Sequence, residues 1–304
     1  MTRRTLLAAA AACACAMARQ NTSAATLDEQ INAKLRGFQG QVSLYAKNLD
    51  TGASYSLHGD QPVRTASTIK LPIMAECFAE ASEGKLNLSE ALILTADEKV
   101  PGSGLLQEFS DGDRLPMSDV IDLMIVVSDN TATNMILERI GGNAVNARMA
   151  QLGFEYTRVM RKIGGNKSPA FKPGMTSEGA KPESKKWGLG RSSPREMVML
   201  MDKLYHGELV SKAASEQMLT ILKRQRDHDG IARDMQDVTV ANKTGALDHL
   251  RSDVGIIFSK RGNVAMAITV DDMPEVNWTP DNPGQLLISA LSQILLDGLG
   301  ATQP

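Results

Sequence analysis

The stretch from Asp237 to Asp271 reads DVTVANKTGALDHLRSDVGIIFSKRGNVAMAITVD, and it decides the fold. β-branched and small apolar residues dominate its runs, and such residues favour strands. We therefore predict three strands here, near 237–243, 253–259 and 264–271. They close the chain together with one further helix.

The beginning of the chain supplies further strands. Val42, Leu44 and Ala46 alternate with other residues, a pattern typical of a strand with one buried face. The turn signal Asp50-Thr51-Gly52 then leads into a second strand at 54–57. Five strands from the two ends of the chain predict one largely antiparallel sheet.

Helical periodicity surrounds and separates these strands. Leu27, Ile31 and Leu35 recur at helical spacing behind the possible N-cap Thr26, and Pro283 opens a last amphipathic helix. Between the two groups of strands, helices are predicted at about 68–83, 117–127, 131–140, 142–151, 194–206 and 212–224.

This order predicts an α+β fold with a five-stranded, mostly antiparallel sheet flanked by helices and an inserted all-helical subdomain. The boundaries that we expect are 22–60 plus 225–304 for the sheet subdomain and 61–224 for the helical one. The active site is expected between them. A long segment of little periodicity, 157–194, falls inside the helical subdomain; we call it the floor loop, and loops of this length tend to be functional.

Residues 1–18 are interpreted as a signal peptide. Arg3-Arg4 precede an uncharged run, and Ala16-Met17-Ala18 is a small-x-small cleavage site. The run is short for a transmembrane anchor. Thr2–Leu7 also loosely resembles a twin-arginine signal, so the export route stays open. We expect a periplasmic or secreted protein with no membrane attachment beyond this signal.

Composition excludes several classes of partner. The net charge is −2 and only 4% of residues are aromatic, which argues against nucleic acid. The four histidines (His58, His206, His228 and His249) lack metal-ligand spacing, so neither a metal nor another cofactor is expected. Cys77 is alone after signal cleavage and lies in an apolar stretch, as a buried hydrophobe does. We expect a monomer.

Ser67-Thr68-Ile69-Lys70 is the first candidate catalytic motif. A serine hydroxyl needs an adjacent base to act as a nucleophile, and a desolvated lysine with a lowered pKa can be that base. The spacing of Ser67 and Lys70 brings both side chains to one face of a helix that Ser67 is predicted to open. Ser82–Lys85 fits the same pattern, but at a helix end, where no role is expected.

Ser128-Asp129-Asn130 follows the apolar helix Val120–Val127. A second hydroxyl, on Ser128, can pass a proton to the leaving nitrogen of an opened amide. The Asn130 amide can hold a carbonyl of the substrate. Asp129 is expected to cap the next helix.

Lys243-Thr244-Gly245 follows the strand-like run Val238–Val240. Gly245 would keep the approach to a neighbouring strand or ligand open. Taken alone, the triplet is no more than a lysine and a turn at a strand end.

The three triplets together resemble the active site of the class A serine β-lactamase family, which is related to the penicillin-binding proteins. The resemblance implies that Ser67, Lys70 and Ser128 are catalytic, with a β-lactam as the substrate. It also implies that Asn130, Lys243 and Thr244 bind that substrate beside Gly245. The backbone N–H groups of Ser67 and Ala246 would form an oxyanion hole.

The resemblance fails at one position. The family's deacylating glutamate, counted forward through Thr157-Arg158, falls near Ile163, which is not an acid. Counted backward from Ser193-Pro194, it falls beside Glu178. The counts disagree because this loop is longer than usual. A glutamate in such a basic loop is usually just solvated, so Glu178 is a weak candidate for the base.

Three functions follow from these motifs. The leading one is an exported serine β-lactamase with weak deacylation. The first alternative is a penicillin-binding or D-alanyl-peptidase-like hydrolase acting on cell-wall peptides, which would use the same acylating residues. A non-catalytic sensor that is acylated and then signals is the third, and the sequence carries no partner domain for it.

Overall fold

The computed structural model describes residues 25–165, 168 and 170–300. The predicted signal peptide therefore lies outside the described residues. Within the described part, no helix combines the length and the apolar character needed to cross a bilayer. The α-helices described are α1 Leu27–Leu35, α2 Lys70–Ser82, α3 Met117–Val126, α4 Asn130–Ile140, α5 Gly142–Gln151, α6 Pro194–His206, α7 Lys212–Leu222 and α8 Pro283–Leu299.

A five-stranded antiparallel sheet joins the two ends of the chain, which confirms the predicted α+β class. Its order is β2-β1-β10-β9-β8. The strands are β1 Gln41–Asn48, β2 Ser54–Leu57, β8 Thr239–Leu247, β9 Leu250–Ser259 and β10 Gly262–Asp271. The last three pair as consecutive hairpins, and β10 also pairs with β1.

The sheet is covered by helices on both faces because its side chains alternate. Leu44 points into a core formed with Ile31 of α1 and Leu291 of α8. Its neighbour Tyr45 belongs to the other core, together with Met201 of α6 and the helical subdomain. Burial of successive strand residues on opposite faces is what a two-sided sheet requires. The terminal helices thus pack on one face, as predicted.

Helix α2 packs against α3, α4, α5 and α7. Every residue from Lys70 to Ala79 on it is buried, including Lys70 itself and Cys77. Burial raises the pKa of the Cys77 thiol far above its usual value, as in a structural rather than a reactive cysteine. Ser67 lies in the 3₁₀ turn just before this buried helix.

Two small sheets were not predicted from the sequence. One pairs β3 Val63–Arg64 with β7 Gly190–Ser192 and β7 with β6 Arg158–Val159. The other pairs β4 Ala91–Ile93 with β5 Arg114–Pro116. The first sheet joins the two ends of the floor loop to the segment that leads into Ser67.

The structure corrects the predicted boundaries at two functional places. Strand β8 runs from Thr239 through Leu247, so Lys243-Thr244-Gly245 lies inside the strand and not at its end. Ser67 does not open an α-helix: it lies in a single 3₁₀ turn, Ala66–Ile69, and α2 begins only at Lys70.

Candidate active site

Lys70 lies at the centre of the site and joins the first two motifs. Its Nζ donates to the backbone oxygen of Ser128 at 2.7 Å, to Ser128 Oγ at 3.1 Å and to Asn130 Oδ1 at 3.1 Å. The predicted direct contact with Ser67 is not formed, because the ammonium is turned toward the second motif. Lys70 is therefore in direct contact with one of the two candidate catalytic hydroxyls, that of Ser128.

Burial makes the neutral form of Lys70 more accessible than that of an ordinary lysine. The side chain is fully buried, and this desolvation lowers its pKa well below 10.5. The nearby positive charge of Lys243 lowers the pKa further, while Asp129 opposes the shift. A lowered pKa raises the share of the neutral amine, which is the form of a lysine that can accept a proton.

Ser67 is partly exposed and stands on a strained support. The residue before it, Ala66, has φ +46°, a conformation that costs energy for any residue with a Cβ. Strand β8 passes close by: a Cβ added to Gly245 would lie 2.8 Å from Thr65 O and 3.1 Å from Ser67 N. Glycine is needed at position 245 because a side chain there would push the strand away from the nucleophile.

The second motif is fixed by Asp129, which confirms the predicted cap. Its carboxylate accepts from Ala132 N at 2.8 Å at the start of α4. It also accepts from Leu105 N at 2.6 Å and Leu106 N at 2.9 Å. Asp129 thus ties the 101–106 loop to the helix start. Ser128, with φ +54°, is held in the tight turn just before it.

Lys243 lies beneath the cleft floor and is fully buried. Its Nζ donates to Thr244 O at 2.8 Å. Burial lowers its pKa to about 8, against the opposing attraction of Asp227 and Asp253. Lys243 is therefore charged at neutral pH and makes this end of the site positive.

A buried aspartate, Asp253, lies beside Lys243 and was missed by the sequence analysis. It accepts from Asn242 Nδ2 at 2.9 and 3.1 Å and from Ile231 N at 2.8 Å. Burial raises its pKa to about 7. The sequence signal was an acid in the middle of an apolar strand. Asp253 connects β8 and β9 to the loop that precedes β8.

A cleft of about 690 Å³ joins these parts. It is lined by Ser67, Ser128, Asn130, Thr244, Gly245 and Ala246, which are six of the eight predicted site residues. Lys70 and Lys243 lie behind this lining. The wall opposite the 102–103 segment includes residues 225–229 and Trp278, which the sequence analysis had not singled out.

The floor loop brings Ile163 to helix α4. Asn134 Nδ2 donates to Ile163 O at 3.0 Å, and Ile163 N donates to Asn134 Oδ1 at 2.8 Å. The preceding residue, Lys162, is buried and pairs with Glu138 at 2.5 Å and Glu98 at 3.3 Å. Position 163 is thus held firmly, by backbone atoms and by its neighbour, while its side chain carries no acid.

Glu178 is occupied elsewhere in the loop. Its carboxylate pairs with Lys181 at 2.7 Å and with Arg191 at 3.4 Å, and it does not line the cleft. The hydrogen bond from Lys181 is the main reason that its pKa is lowered. A carboxylate with a lowered pKa is a weaker base, so this geometry argues against Glu178 as the deacylating residue.

The guanidinium of Arg251 is engaged in contacts within the protein. Its Nη1 donates to Leu247 O at 2.6 Å and Leu250 O at 2.7 Å, and its Nη2 donates to Asn277 O. The guanidinium carbon lies 4.6 Å from the centre of the Trp278 ring. Burial lowers its pKa.

Chemically, the site unites a partly exposed hydroxyl, a buried amine, a second hydroxyl and a buried cation, a set suited to acyl transfer. Among residues 25–165, 168 and 170–300, no group of three or more His, Cys, Asp or Glu side chains is arranged to hold a metal ion.

Comparison with known proteins agrees with this chemistry. The model of the "Beta-lactamase enzyme family" matches residues 26–299. The Beta-lactamase ROB-1 of Haemophilus influenzae is 23% identical over 257 residues, covering 82% of this chain and 78% of its own. A β-lactamase of Bacillus licheniformis is 24% identical over 249 residues, covering 80% of this chain and 73% of its own.

Two solved structures are similar in fold and sequence. The β-lactamase of Sphaerobacter thermophilus has a TM-score of 0.77 and 27% identity, over 91% of this chain and 98% of its own. PBP-A, whose leucine-to-glutamate variant is described as an acyl-enzyme complex with penicillin G, has a TM-score of 0.75 and 30% identity. That similarity covers 89% of this chain and 94% of PBP-A.

Proposed function

Because this chain belongs to the beta-lactamase enzyme family, we propose that it opens β-lactam amides through an acyl-enzyme on Ser67 and hydrolyses that intermediate slowly. The observation that carries the proposal is the cleft in which Ser67, Ser128 and Thr244 meet above a buried Lys70. The proposed enzyme is class A-like in its acylation machinery and departs from that class at the deacylation step.

In the acylation step, Ser67 Oγ attacks the lactam carbonyl carbon and loses its proton to neutral Lys70, whose amine must first turn from Ser128 and Asn130 toward Ser67. The negative charge on the carbonyl oxygen is stabilised by the N–H groups of Ser67 and Ala246, on the two segments that Gly245 allows to approach. The C–N bond then breaks, and the Ser128 hydroxyl gives its proton to the leaving nitrogen. Lys70, 3.1 Å from Ser128 Oγ, returns a proton to Ser128.

Substrate binding uses the remaining residues. The positive charge of Lys243 attracts the carboxylate of a β-lactam, and Thr244 hydrogen-bonds to it. Asn130 faces the acyl side chain, with its own amide held by Pro101 O at 3.2 Å. Each group is fixed by the protein before the substrate arrives, which favours the transition state.

Deacylation lacks a positioned base. The floor-loop residue held by Asn134 is Ile163, and Glu178 is paired with two cations. Of the described residues that line the cleft, Asp227 and Asp229 are acidic, but they belong to the wall on the Lys243 side. Water at the acyl carbonyl therefore has no acid of the floor loop to activate it.

The second candidate is a D-alanyl-peptidase-like hydrolase of cell-wall peptides. The missing floor-loop acid and the 30% identity with PBP-A favour it over an efficient β-lactamase. The two functions differ in substrate and share the acylation step. Release of D-alanine from a peptide ending in D-Ala-D-Ala, measured beside β-lactam hydrolysis, distinguishes them.

The experiment that tests slow deacylation is stopped-flow mixing of the protein, without residues 1–18, with a chromogenic cephalosporin. We expect a burst close to one equivalent of enzyme, followed by a slow steady rate. Glu178→Gln should leave both phases unchanged. Turnover without a burst that collapses in Glu178→Gln would reject the proposal and make Glu178 the base.

We also propose that the protein is exported, on the pattern of residues 1–18, and acts as a monomer in the periplasm or outside the cell. Cell fractionation of the full chain and of a chain with Arg3 and Arg4 replaced by glutamine tests export. The substituted chain should stay in the cytoplasm.

A further inference from the structure

Trp278 is an exposed aromatic residue on the wall of the catalytic cleft. It is 61% exposed, and its ring is the aromatic group among the described residues that line the cavity. Single exposed apolar residues are common on protein surfaces, and Trp278 differs from the others because it lines the cleft. Here its position in the cavity points to a ligand.

The protein holds this ring in place from behind. The Arg251 guanidinium lies against one face, 4.6 Å from the ring centre. Arg251 itself is only 3% exposed and is fixed by the carbonyl oxygens of Leu247, Leu250 and Asn277. A cation on one face of an indole is a stabilising contact and restricts the ring's rotation. The other side of the ring is left for the cleft.

The backbone on either side of Trp278 is equally well fixed. Asn277 O accepts from Asn282 Nδ2 at 2.7 Å, and Asn277 Oδ1 accepts from Thr279 N at 2.8 Å. Asn282 is fully buried and caps α8. Trp278 is therefore presented by a short, internally bonded segment, and its ring can contribute binding energy without being ordered on binding.

The position of Arg251 shows which part of a substrate would meet the ring. Arg251 pairs across the sheet with Ala246, and both Arg251 and Lys243 feel the charge of Asp227. Trp278 thus lies on the side of Lys243, which we assign to the substrate carboxylate. Asn130, assigned to the acyl side chain, belongs to the helical wall.

We propose that Trp278 is a specificity-determining residue that selects substrates with a flat, apolar group on the leaving-group side of the scissile amide, and that Arg251 positions its ring. The proposal rests on the proposed function, since it assigns part of the same cleft. For a cephalosporin, the group concerned is the substituent at C3.

The test compares two cephalosporins with the same thienylacetyl side chain, one with a dinitrostyryl group and one with a methyl group at C3. Trp278→Ala should lower the second-order acylation rate of the dinitrostyryl compound roughly fivefold and that of the methyl compound less than about twofold. Trp278→Phe should keep most of the preference. Val276→Ala, an equally exposed neighbour outside the cleft lining, should keep all of it.

Arg251→Gln tests the positioning role. It should reduce the preference for the dinitrostyryl compound while the acylation rate of the methyl compound is kept. Equal losses of acylation rate for both compounds in Trp278→Ala would show that the effect does not depend on the C3 group and would overturn the proposal.

Calorimetric binding of both compounds to Ser67→Ala and to Ser67→Ala with Trp278→Ala separates this proposal from the proposed function. Absence of any acylation would refute the acyl-enzyme on Ser67. The dissociation constants would still decide the role of Trp278. Binding of the dinitrostyryl compound alone that is weakened roughly fivefold by Trp278→Ala supports that role. An unchanged ratio of the dissociation constants of the two compounds rejects it.

Discussion

Asn134 holds Ile163 through both polar groups of its backbone. Its Nδ2 donates to Ile163 O at 3.0 Å and its Oδ1 accepts from Ile163 N at 2.8 Å. Asn134 is fully buried on α4, so this pair fixes the height of the floor loop relative to the helix. None of these bonds depends on the side chain of residue 163.

The first prediction follows from that independence. Ile163→Glu should place a carboxylate at the position where the sequence comparison expects the deacylating glutamate. The steady rate after the burst should rise at least about tenfold, because a positioned general base contributes rate factors of that size or larger. Ile163→Gln is the matched control and should stay slow. Equal steady rates in both variants would mean that the side chain at 163 does not reach the acyl carbonyl.

Ser67 is predicted to carry the acyl group. Intact-mass measurement after incubation with a fluorescent penicillin should show one adduct on the wild-type protein and none on Ser67→Ala. The substitution removes one partly exposed hydroxyl, so the melting temperature should barely change. Labelling that persists in Ser67→Ala would remove Ser67 from the mechanism.

Lys70 and Ser82 bracket helix α2 and give an internal comparison. Lys70→Ala should lower the acylation rate by a factor of about 100 or more, since it removes the base and the three hydrogen bonds to the second motif. Ser82→Ala, at the end of α2, should leave the rate unchanged. If both variants slow acylation alike, the choice of the Ser-x-x-Lys pair is wrong.

The pH dependence of acylation should report Lys243. Its pKa is lowered to about 8 by burial, so the ammonium loses its proton as the pH rises through 8. The apparent affinity for a β-lactam carboxylate should then fall above that pH. Lys243→Arg keeps the charge and should move this fall to higher pH. An apparent affinity that stays constant from pH 7 to pH 9, a window of ~2 pH units around the pKa of Lys243, would contradict the role of this lysine.

Asp253 should make stability depend on pH. Its pKa is raised by burial to about 7, above the value of 3.8 expected in the unfolded chain. The stabilisation that comes from holding the proton is complete below 3.8 and is lost as the pH rises through about 7. The melting temperature of Asp253→Asn minus that of the wild type should therefore become more positive from pH 4 to pH 8, a span of about 4 units. A constant difference would show that Asp253 does not bind a proton in the folded protein.

The main strands and helices could be predicted from the sequence because the periodicity of apolar residues reflects which side chains are buried. Alternation at Val42, Leu44 and Ala46 placed β1, and the apolar runs placed β9 and β10. The ends of these elements were harder to predict. The residues that extend β8 from 243 to Leu247 include a glycine and an alanine, which are not strand formers, and their pairing with β9 is what keeps them extended.

The site residues that belong to sequence motifs could be predicted, and the features that depend on tertiary contacts could not. Ser67, Ser128 and Thr244 were identified by their neighbours in sequence. The turn of Lys70 toward Ser128 and the burial of Asp253 depend on residues far away in the chain. Trp278 belongs to no sequence motif, and its importance comes from its contact with Arg251 and from the cavity that its ring lines.

The burial of Cys77 gives this protein a practical use. It is the one cysteine beyond residue 18, it is not exposed at all, and its thiol resists ionisation. Without residues 1–18, the folded protein should therefore not react with maleimides, and no oxidant is needed to make it fold. A cysteine introduced at Val276, on the rim near Trp278, would then accept a single fluorophore, whose signal would follow ligands entering and leaving the cleft in real time.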